Sequence, residues 1–307
     1  MQTGFAMLRR APAIMARTSM FRRAVIHALS FLLIGVAATA VAQAPAPDSV
    51  PQIGQVSKNS VWVPTPERMI RRLLQIADTT RDDLVMDLGS GDGRLPIYAA
   101  HHFGTRAIGV ELEANLVRLS LEAARAQGVA HLVQFVRQDL FETDLSRADV
   151  ITLYLSPGAM TLLKPRLMAL KPGVRVVSHQ FTLEDWEADE TIRVEGRTGY
   201  LWVVPAPVRG SWRLSIAGDE LRLRIEQKFQ ELSTKASRAG RPVNVVGARL
   251  RGSELSFTSF DRDGNSRHYR GRVTAPACRV RPLARTARSC AGRPRGTEGA
   301  GLLQAVF

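Results

Sequence analysis

The stretch VMDLGSGDGRLP at residues 85–96 constrains this chain more than any other. Apolar Val85 and Met86 lead into Asp87, Gly89, Gly91 and Gly93 alternate with Ser90 and Asp92, and a helical pattern opens at Leu95. Glycines in such a loop accept positive φ and let backbone come close to a ligand. A strand that runs into a glycine loop and then a helix is the start of a βαβ unit, the building block of a parallel sheet. The spacing Gly-x-Gly-x-Gly differs from the Gly-x-Gly-x-x-Gly of dinucleotide sites. A pyrophosphate at a helix amino end favours neutral or basic surroundings. Asp87 and Asp92 instead suit a ligand with positive groups, such as an α-ammonium and a sulfonium. A nicotinamide dehydrogenase is disfavoured on both counts.

The flanking pattern agrees with an α/β fold. Thr65, Pro66 and Glu67 form a helix start, with Thr65 as N-cap and Pro66 at the first helical position. Met69, Ile70, Leu73, Leu74 and Ala77 make the apolar face of that helix. Strands are predicted over 84–88, 106–111, 132–136, 149–154 and 175–178, and helices over 95–103, 114–127 and 159–170. This alternation predicts a doubly wound parallel sheet with helices on both faces. Such sheets bind ligands beyond the carboxyl ends of their strands, at the switch in strand order. The loop at 87–93 follows the first strand, Glu111 ends the second and Asp139 follows the third, so one extended ligand would meet all three. A carboxylate at Glu111 has lone pairs for both hydroxyls of a ribose, and Asp139 can accept from an adenine amino group. The plainer alternative makes Glu111 and Asp139 helix caps or turn residues.

Six motifs carry a closer resemblance: VPTPERM (63–69), DLGSGDGR (87–94), GVELE (109–113), DLFETDL (139–145), LYLSPG (153–158) and LKPGVRVVSHQF (170–181). Over residues 63–204 the chain resembles the class I, seven-β-strand S-adenosylmethionine-dependent methyltransferases. More narrowly, it is similar to bacterial relatives of the family containing the mitochondrial lysine methyltransferases of the adenine nucleotide translocase and the ATP synthase c-subunit. The resemblance implies a Rossmann-like, doubly wound, seven-stranded sheet and S-adenosyl-L-methionine as cofactor. It implies that Asp87, Gly89, Ser90, Gly91 and Gly93 hold the methionine part, Glu111 the ribose, and Asp139 with Leu140 the adenine. Tyr154, Leu155 and Pro157 would line the acceptor channel, and residues 63–66, with Thr65 and Pro66, would fold over the cofactor. The acceptor implied is a protein amine, lysine in the eukaryotic relatives.

Methyl transfer from such a cofactor needs alignment and desolvation more than acid–base side chains. A lysine nucleophile must lose its proton against an ordinary pKa of ~10.4, which burial lowers. Tyr154 would orient the amine, and His179 would help remove a proton unless it is simply a structural residue after a strand. Trp186 reads as core. The rivals are methylation of a small molecule or lipid headgroup, and a non-catalytic cofactor-binding or assembly module.

The net charge of +14 suggests nucleic acid until its distribution is read. Residues 1–44 hold five arginines and no acids, and residues 276–307 hold six arginines and one glutamate, so the two ends account for +10. A nucleic-acid patch needs that charge on the folded body. No Asn/Asp-Pro-Pro-aromatic signature of DNA amino-methylating enzymes follows the fourth strand either, so no nucleic-acid partner is expected. The only cysteines, Cys278 and Cys290, lie in the tail, and no metal-ligand spacing exists.

Residues 20–44, MFRRAVIHALSFLLIGVAATAVAQA, place Arg22 and Arg23 before an apolar run and then alanines at A-x-A spacing. The pattern is that of a secretory signal peptide cut after Ala42, with translation starting at Met20. The alternative is an uncleaved anchor in the inner membrane. Both send the body across the membrane, where no obvious supply of the cofactor exists. Residues 45–60 form a Pro-rich linker. After a second linker around Pro205 and Pro207, residues 208–273 alternate at period two and predict a small antiparallel β domain. Residues 274–307 are dominated by Arg, Ala, Gly and Pro and are expected to be disordered or the product of a shifted reading frame.

Overall fold

The computed structural model describes Gly54, residues 62–216 and 219–273, and the pairs 301–302 and 304–305. The signal or anchor segment, nearly all of the first linker, and both cysteines lie outside the described residues. Among the described residues, no helix is long and apolar enough to cross a membrane.

The first unit runs α1 (Glu67–Ile76), β1 (Leu84–Leu88), α2 (Arg94–Phe103), β2 (Arg106–Glu111), α3 (Ala114–Ala126), β3 (Val133–Arg137), β4 (Val150–Leu153), α4 (Pro157–Met168), β5 (Arg175–His179), β6 (Glu190–Val194) and β7 (Arg197–Val203). Its seven strands lie in the order β3-β2-β1-β4-β5-β7-β6. β1 to β5 are parallel; β7 runs antiparallel to both β5 and β6. The order reverses between β1 and β4, which sets the ligand crevice there.

The central strands explain the architecture. LVMDL of β1 and VITL of β4 are buried at every position, as strands covered on both faces must be. One core packs Met69, Ile70, Leu73 and Leu74 of α1 with Ile97 and Ala100 of α2. The other packs Met160, Leu163 and Leu167 of α4 with Trp186 and Trp202. Two details differ from the sequence reading. Pro66, not Thr65, occupies the N-cap of α1, and no side chain caps that helix. The hairpin β6–β7 has no counterpart among the predicted strands; β6 is an edge strand with no fully buried position, whereas β7 is buried at Gly199, Leu201, Trp202 and Val203.

Beyond Val204 come β8 (Gly210–Ile216), β9 (Asp219–Lys228), β10 (Glu231–Arg238), β11 (Arg241–Arg251), β12 (Glu254–Phe260) and β13 (Ser266–Arg272). These pair as an antiparallel meander in chain order. Its core includes Trp212, Leu214, Leu223, Ile225, Phe257 and Tyr269. The two-residue strands β14 (Gly301–Leu302) and β15 (Gln304–Ala305) pair with β8 and β13, so one short stretch meets both edges of the meander. The rest of the tail lies outside the described residues, and with it the region on which the disorder or frameshift expectation falls.

The stretch between the units is not loose. Ala206 and Val208 are buried. The Gln227 amide accepts from Val208 N–H and donates to the Ala206 carbonyl. Ala206 N–H donates to the Gly252 carbonyl at 2.8 Å. A Cβ on Gly252 would stand 3.1 Å from Gly173 Cα, so the β11–β12 turn meets the α4–β5 turn backbone to backbone.

Candidate active site

Asp87, Glu111 and Asp139 reach the carboxyl edge of the sheet on three neighbouring strands, β1, β2 and β3. Asp87 is buried, and the Thr152 hydroxyl of β4 donates to its Oδ1 at 2.6 Å. Burial pushes its carboxyl up to about 7; the Thr152 hydrogen bond opposes that rise, and the charges of Glu111 and Asp92 add to it.

The glycine loop is pinned to β2. Gly89 and Ser90 N–H both donate to the Val110 carbonyl, at 2.8 and 2.9 Å. Gly91 N–H donates to Glu111 Oε2 at 2.9 Å. The other oxygen, Oε1, accepts from Leu112 N–H and Glu113 N–H. Glu111 thus serves the turn after β2, as the plainer alternative has it, and ties that turn to the loop. Oε1 is filled by its two donors, and Oε2, with one, retains a lone pair for a further donor.

The glycines have steric reasons as well as conformational ones. Gly91 has φ +56, and a Cβ there would fall 2.6 Å from Trp62 Nε1. Gly93 has φ +75, and a Cβ would fall 2.6 Å from the Phe135 ring. Gly109, in an ordinary conformation, is held open by the same ring and by Ser90 Oγ. A Cβ on Gly89 would meet Leu155 at 3.0 Å, which places Leu155 over the start of the loop. Trp62 and Gly109 were not singled out from sequence. Trp62 adjoins the 63–66 segment expected to act as a lid, and Gly109 opens GVELE.

Asp92 does not present a free charge to a ligand as expected. Its carboxylate is held by Arg94 in a bidentate pair, with contacts from 2.6 to 3.1 Å. Of the two acids flanking the loop, Asp92 is the one paired with a cation, while Asp87 accepts from the Thr152 hydroxyl. Asp139 Oδ1 accepts from Phe141 N–H at 2.8 Å, an Asx turn. Asp139 and Leu140 are half-buried. Arg166 of α4 donates to the carbonyls of Leu140, Phe141 and Thr143 and so fixes this loop. Exposed Leu112 and Phe141 stand beside Glu111 and Asp139.

Across the switch point, Tyr154 and Leu155 follow β4, Ser156 caps α4, and Pro157 occupies its first turn. His179 ends β5, buried, its ring 4.0 Å from that of Tyr154. Phe181 stacks near the same Tyr154 ring at 6.2 Å and 24°. Thr65 Oγ1 and His179 Nδ1 are 3.2 Å apart, while buried Nε2 has no hydrogen-bond partner among the described residues. Burial, with the charge of Arg197 adding to it, pushes the imidazole down to about 4, so it is neutral at pH 7. The structure thus gathers Thr65, Tyr154, His179 and Phe181. Pro66 stays half-buried at the head of α1, where its carbonyl accepts from Ile70 N–H. Among the described residues, no His, Cys, Asp or Glu cluster is placed to hold a metal ion.

The strand order, the switch point and a glycine loop flanked by strand-end carboxylates define a class I S-adenosylmethionine-dependent methyltransferase. A family model described as the ANTKMT methyltransferase domain matches residues 87–190. A protein-lysine N-methyltransferase of Saccharolobus islandicus is 43% identical over 149 residues, which cover 47% of this chain and 92% of that protein. The mouse adenine nucleotide translocase lysine N-methyltransferase is 39% identical over 109 residues, 35% of this chain and 47% of that one. The chain therefore spans about half the length of the mouse relative. A solved structure described as an RNA methyltransferase from Salinibacter ruber, in complex with S-adenosyl-L-homocysteine, is 45% identical. The match covers 48% of this chain and 96% of that one, with a TM-score of 0.47. This chain belongs to the methyltransferase family of these lysine N-methyltransferases.

Proposed function

We propose that the chain transfers a methyl group from S-adenosyl-L-methionine to an amine of a protein, with the lysine ε-amine as the leading acceptor. The observation that carries this reading is the arrangement about one switch point. Asp87, the glycine loop, Glu111 and Asp139 lie on one side, and the Tyr154–His179–Phe181 aromatic wall lies on the other. The names of the relatives support lysine as acceptor.

The cofactor would supply an electrophilic methyl on a sulfonium, which an amine lone pair would take up as the carbon–sulfur bond breaks and the sulfur leaves as a neutral thioether, S-adenosyl-L-homocysteine. Ionised Asp87 would pair with the α-ammonium, Gly89, Ser90, Gly91 and Gly93 would give backbone access, Glu111 would accept from the ribose through the free site on Oε2, and Asp139 with Leu140 would take the adenine. Trp62, with Thr65 and Pro66 behind it, covers the loop. Tyr154 orients the amine, and Leu155 and Pro157 border its approach. An imidazole held near 4 is too weak a base to keep a proton taken from an ammonium. His179 therefore acts through its ring contact with Tyr154, and the amine gives its proton to solvent as the aromatic wall lowers its pKa by desolvation.

The same proposal extends to location. Arg22 and Arg23 before the apolar run at 28–42 support export to the envelope or an inner-membrane anchor, with membrane association through that segment.

Tritiated methyl incorporation from labelled cofactor into poly-L-lysine and into a total membrane extract, followed by amino-acid analysis, tests the reaction. Methyllysine is expected, reduced about tenfold or more in Tyr154→Phe if its hydroxyl orients the amine. Label confined to lipid or small molecules would overturn the protein acceptor.

A further inference from the structure

The β9–β10 hairpin breaks the usual rule for its turn. Lys228 pairs with Glu231, leaving Phe229 and Gln230 as a two-residue loop. Such loops favour Asn-Gly or a leading glycine, because positive φ is required. In the turns of β6–β7 and β10–β11, Glu195 and Ala239 also stand at positive φ, but each is followed by a glycine, Gly196 and Gly240. At 229 it is a phenylalanine that has φ +53, and Gln230, not a glycine, follows it. A bulky residue persists in that region only where its surroundings fix it, and such strain clusters at functional places.

The surroundings are the loop between β5 and β6, residues 180–189, which begins at the proposed acceptor wall. The Phe229 ring stacks on Trp186 at 6.0 Å and 25°. The Gln230 amide uses both ends: Oε1 accepts from Trp186 Nε1–H at 2.9 Å, and Nε2 donates to the Glu187 carbonyl at 2.7 Å. Trp186 is fully buried, and its carbonyl accepts from Trp202 Nε1–H at 2.8 Å. On the other side, Lys164 of α4 holds Glu184 and Asp185, and Lys228 lies 3.9 Å from Asp185. The loop has strained backbone of its own, with φ +72 at Gln180 and +56 at Glu184. Gln180 and Phe181 directly follow His179, and Phe181 stacks on Tyr154.

We propose that the β9–β10 turn is a positioning element for methyl transfer: Phe229 and Gln230 clamp Trp186 and Glu187, and thereby set the Phe181–His179–Tyr154 wall against which the acceptor aligns. The inference rests on that wall being the acceptor side. It assigns the C-terminal domain a part in the reaction, although the family match ends at residue 190, before that domain begins. Phe229 and Gln230 touch neither cofactor nor acceptor; they act through the loop.

The test compares the full chain with Gln230→Ala, Phe229→Gly and Phe229→Tyr, using labelled cofactor and poly-L-lysine, with cofactor Kd measured by calorimetry. Phe229→Gly removes the ring while relieving the turn, so it folds even if Gln230→Ala does not. The expected result is a fall in kcat/KM for poly-L-lysine of about tenfold in Gln230→Ala and Phe229→Gly, as misplacement of a reacting group costs. Cofactor Kd stays within twofold, and Phe229→Tyr keeps the unmodified value. Incorporation by the unmodified chain that Phe229→Gly matches would overturn the positioning role alone. A parallel loss of cofactor binding would also overturn it, since the turn would then be a general scaffold. No incorporation by the unmodified chain would overturn the acceptor reading, and the positioning role with it.

Discussion

A carboxyl buried on β1, with the Thr152 hydroxyl donating to it, keeps its proton to about pH 7 against an ordinary value of 3.8. Between those values the folded chain holds a proton the unfolded chain has lost, so this group lowers stability as pH rises through that window. His179 has the opposite sign. Its ordinary value of 6.5 falls to about 4 on folding, so its contribution is lost as pH falls from 6.5 towards 4. Asp87→Asn should therefore gain stability relative to the unmodified chain as pH is raised from 4 to 7.5, measured by urea unfolding at each pH. Cofactor affinity should move the other way, rising through about pH 7 as Asp87 ionises to meet the ammonium; a flat calorimetric profile would count against that pairing. The placement of Asp87 and Glu111 at the carboxyl ends of β1 and β2 was readable because each closes an apolar run. The partnership of Thr65 with His179 was not, because the two are 114 residues apart and the Thr-Pro pair reads locally as a helix cap.

Among elements, the loop between β1 and α2 is the most tightly specified. Gly93→Ala would put a methyl into the Phe135 ring at positive φ. We expect a loss of about 2–3 kcal/mol in chemical denaturation, the sum of strain and overpacking. Gly91→Ala would collide with Trp62 rather than with a core strand. It should leave the unfolding midpoint closer to that of the parent while weakening cofactor binding. The strands that were legible are those buried on both faces, β1 and β4, and those whose ends carry motifs. The hairpin β6–β7 escaped because the alternation in β6 rests on two half-buried residues alone, Ile192 and Val194, too short a run to mark a strand. Likewise the ion pair of Asp92 with Arg94, two residues on, is not readable from the place of Asp92 in the motif.

At the scale of the molecule, the period-two alternation after Val204 made the β domain legible, but not its docking. That docking depends on pairs far apart in sequence, such as Trp186 with Gln230 and Gly173 with Gly252. The amino-terminal segment raises the opposite problem, a plain signal in sequence for which the described residues offer no structure. Fusing residues 1–60 to a reporter active only outside the cytoplasm should give signal, and loss of Arg22 and Arg23 should reduce it. A cytoplasmic reporter would place the enzyme with its cofactor and remove the export proposal.

The central claim is that the strand-end carboxylates and the glycine loop form a site for S-adenosyl-L-methionine. Calorimetric titration of the purified chain with this cofactor tests it most directly, alongside Asp87→Ala and Glu111→Ala. The account predicts one-to-one binding by the parent, weakened about tenfold or more in each variant, in line with about 1.4 kcal/mol or more for a lost charge-assisted contact. Absence of binding by the folded parent, or equal binding by parent and both variants, would contradict it.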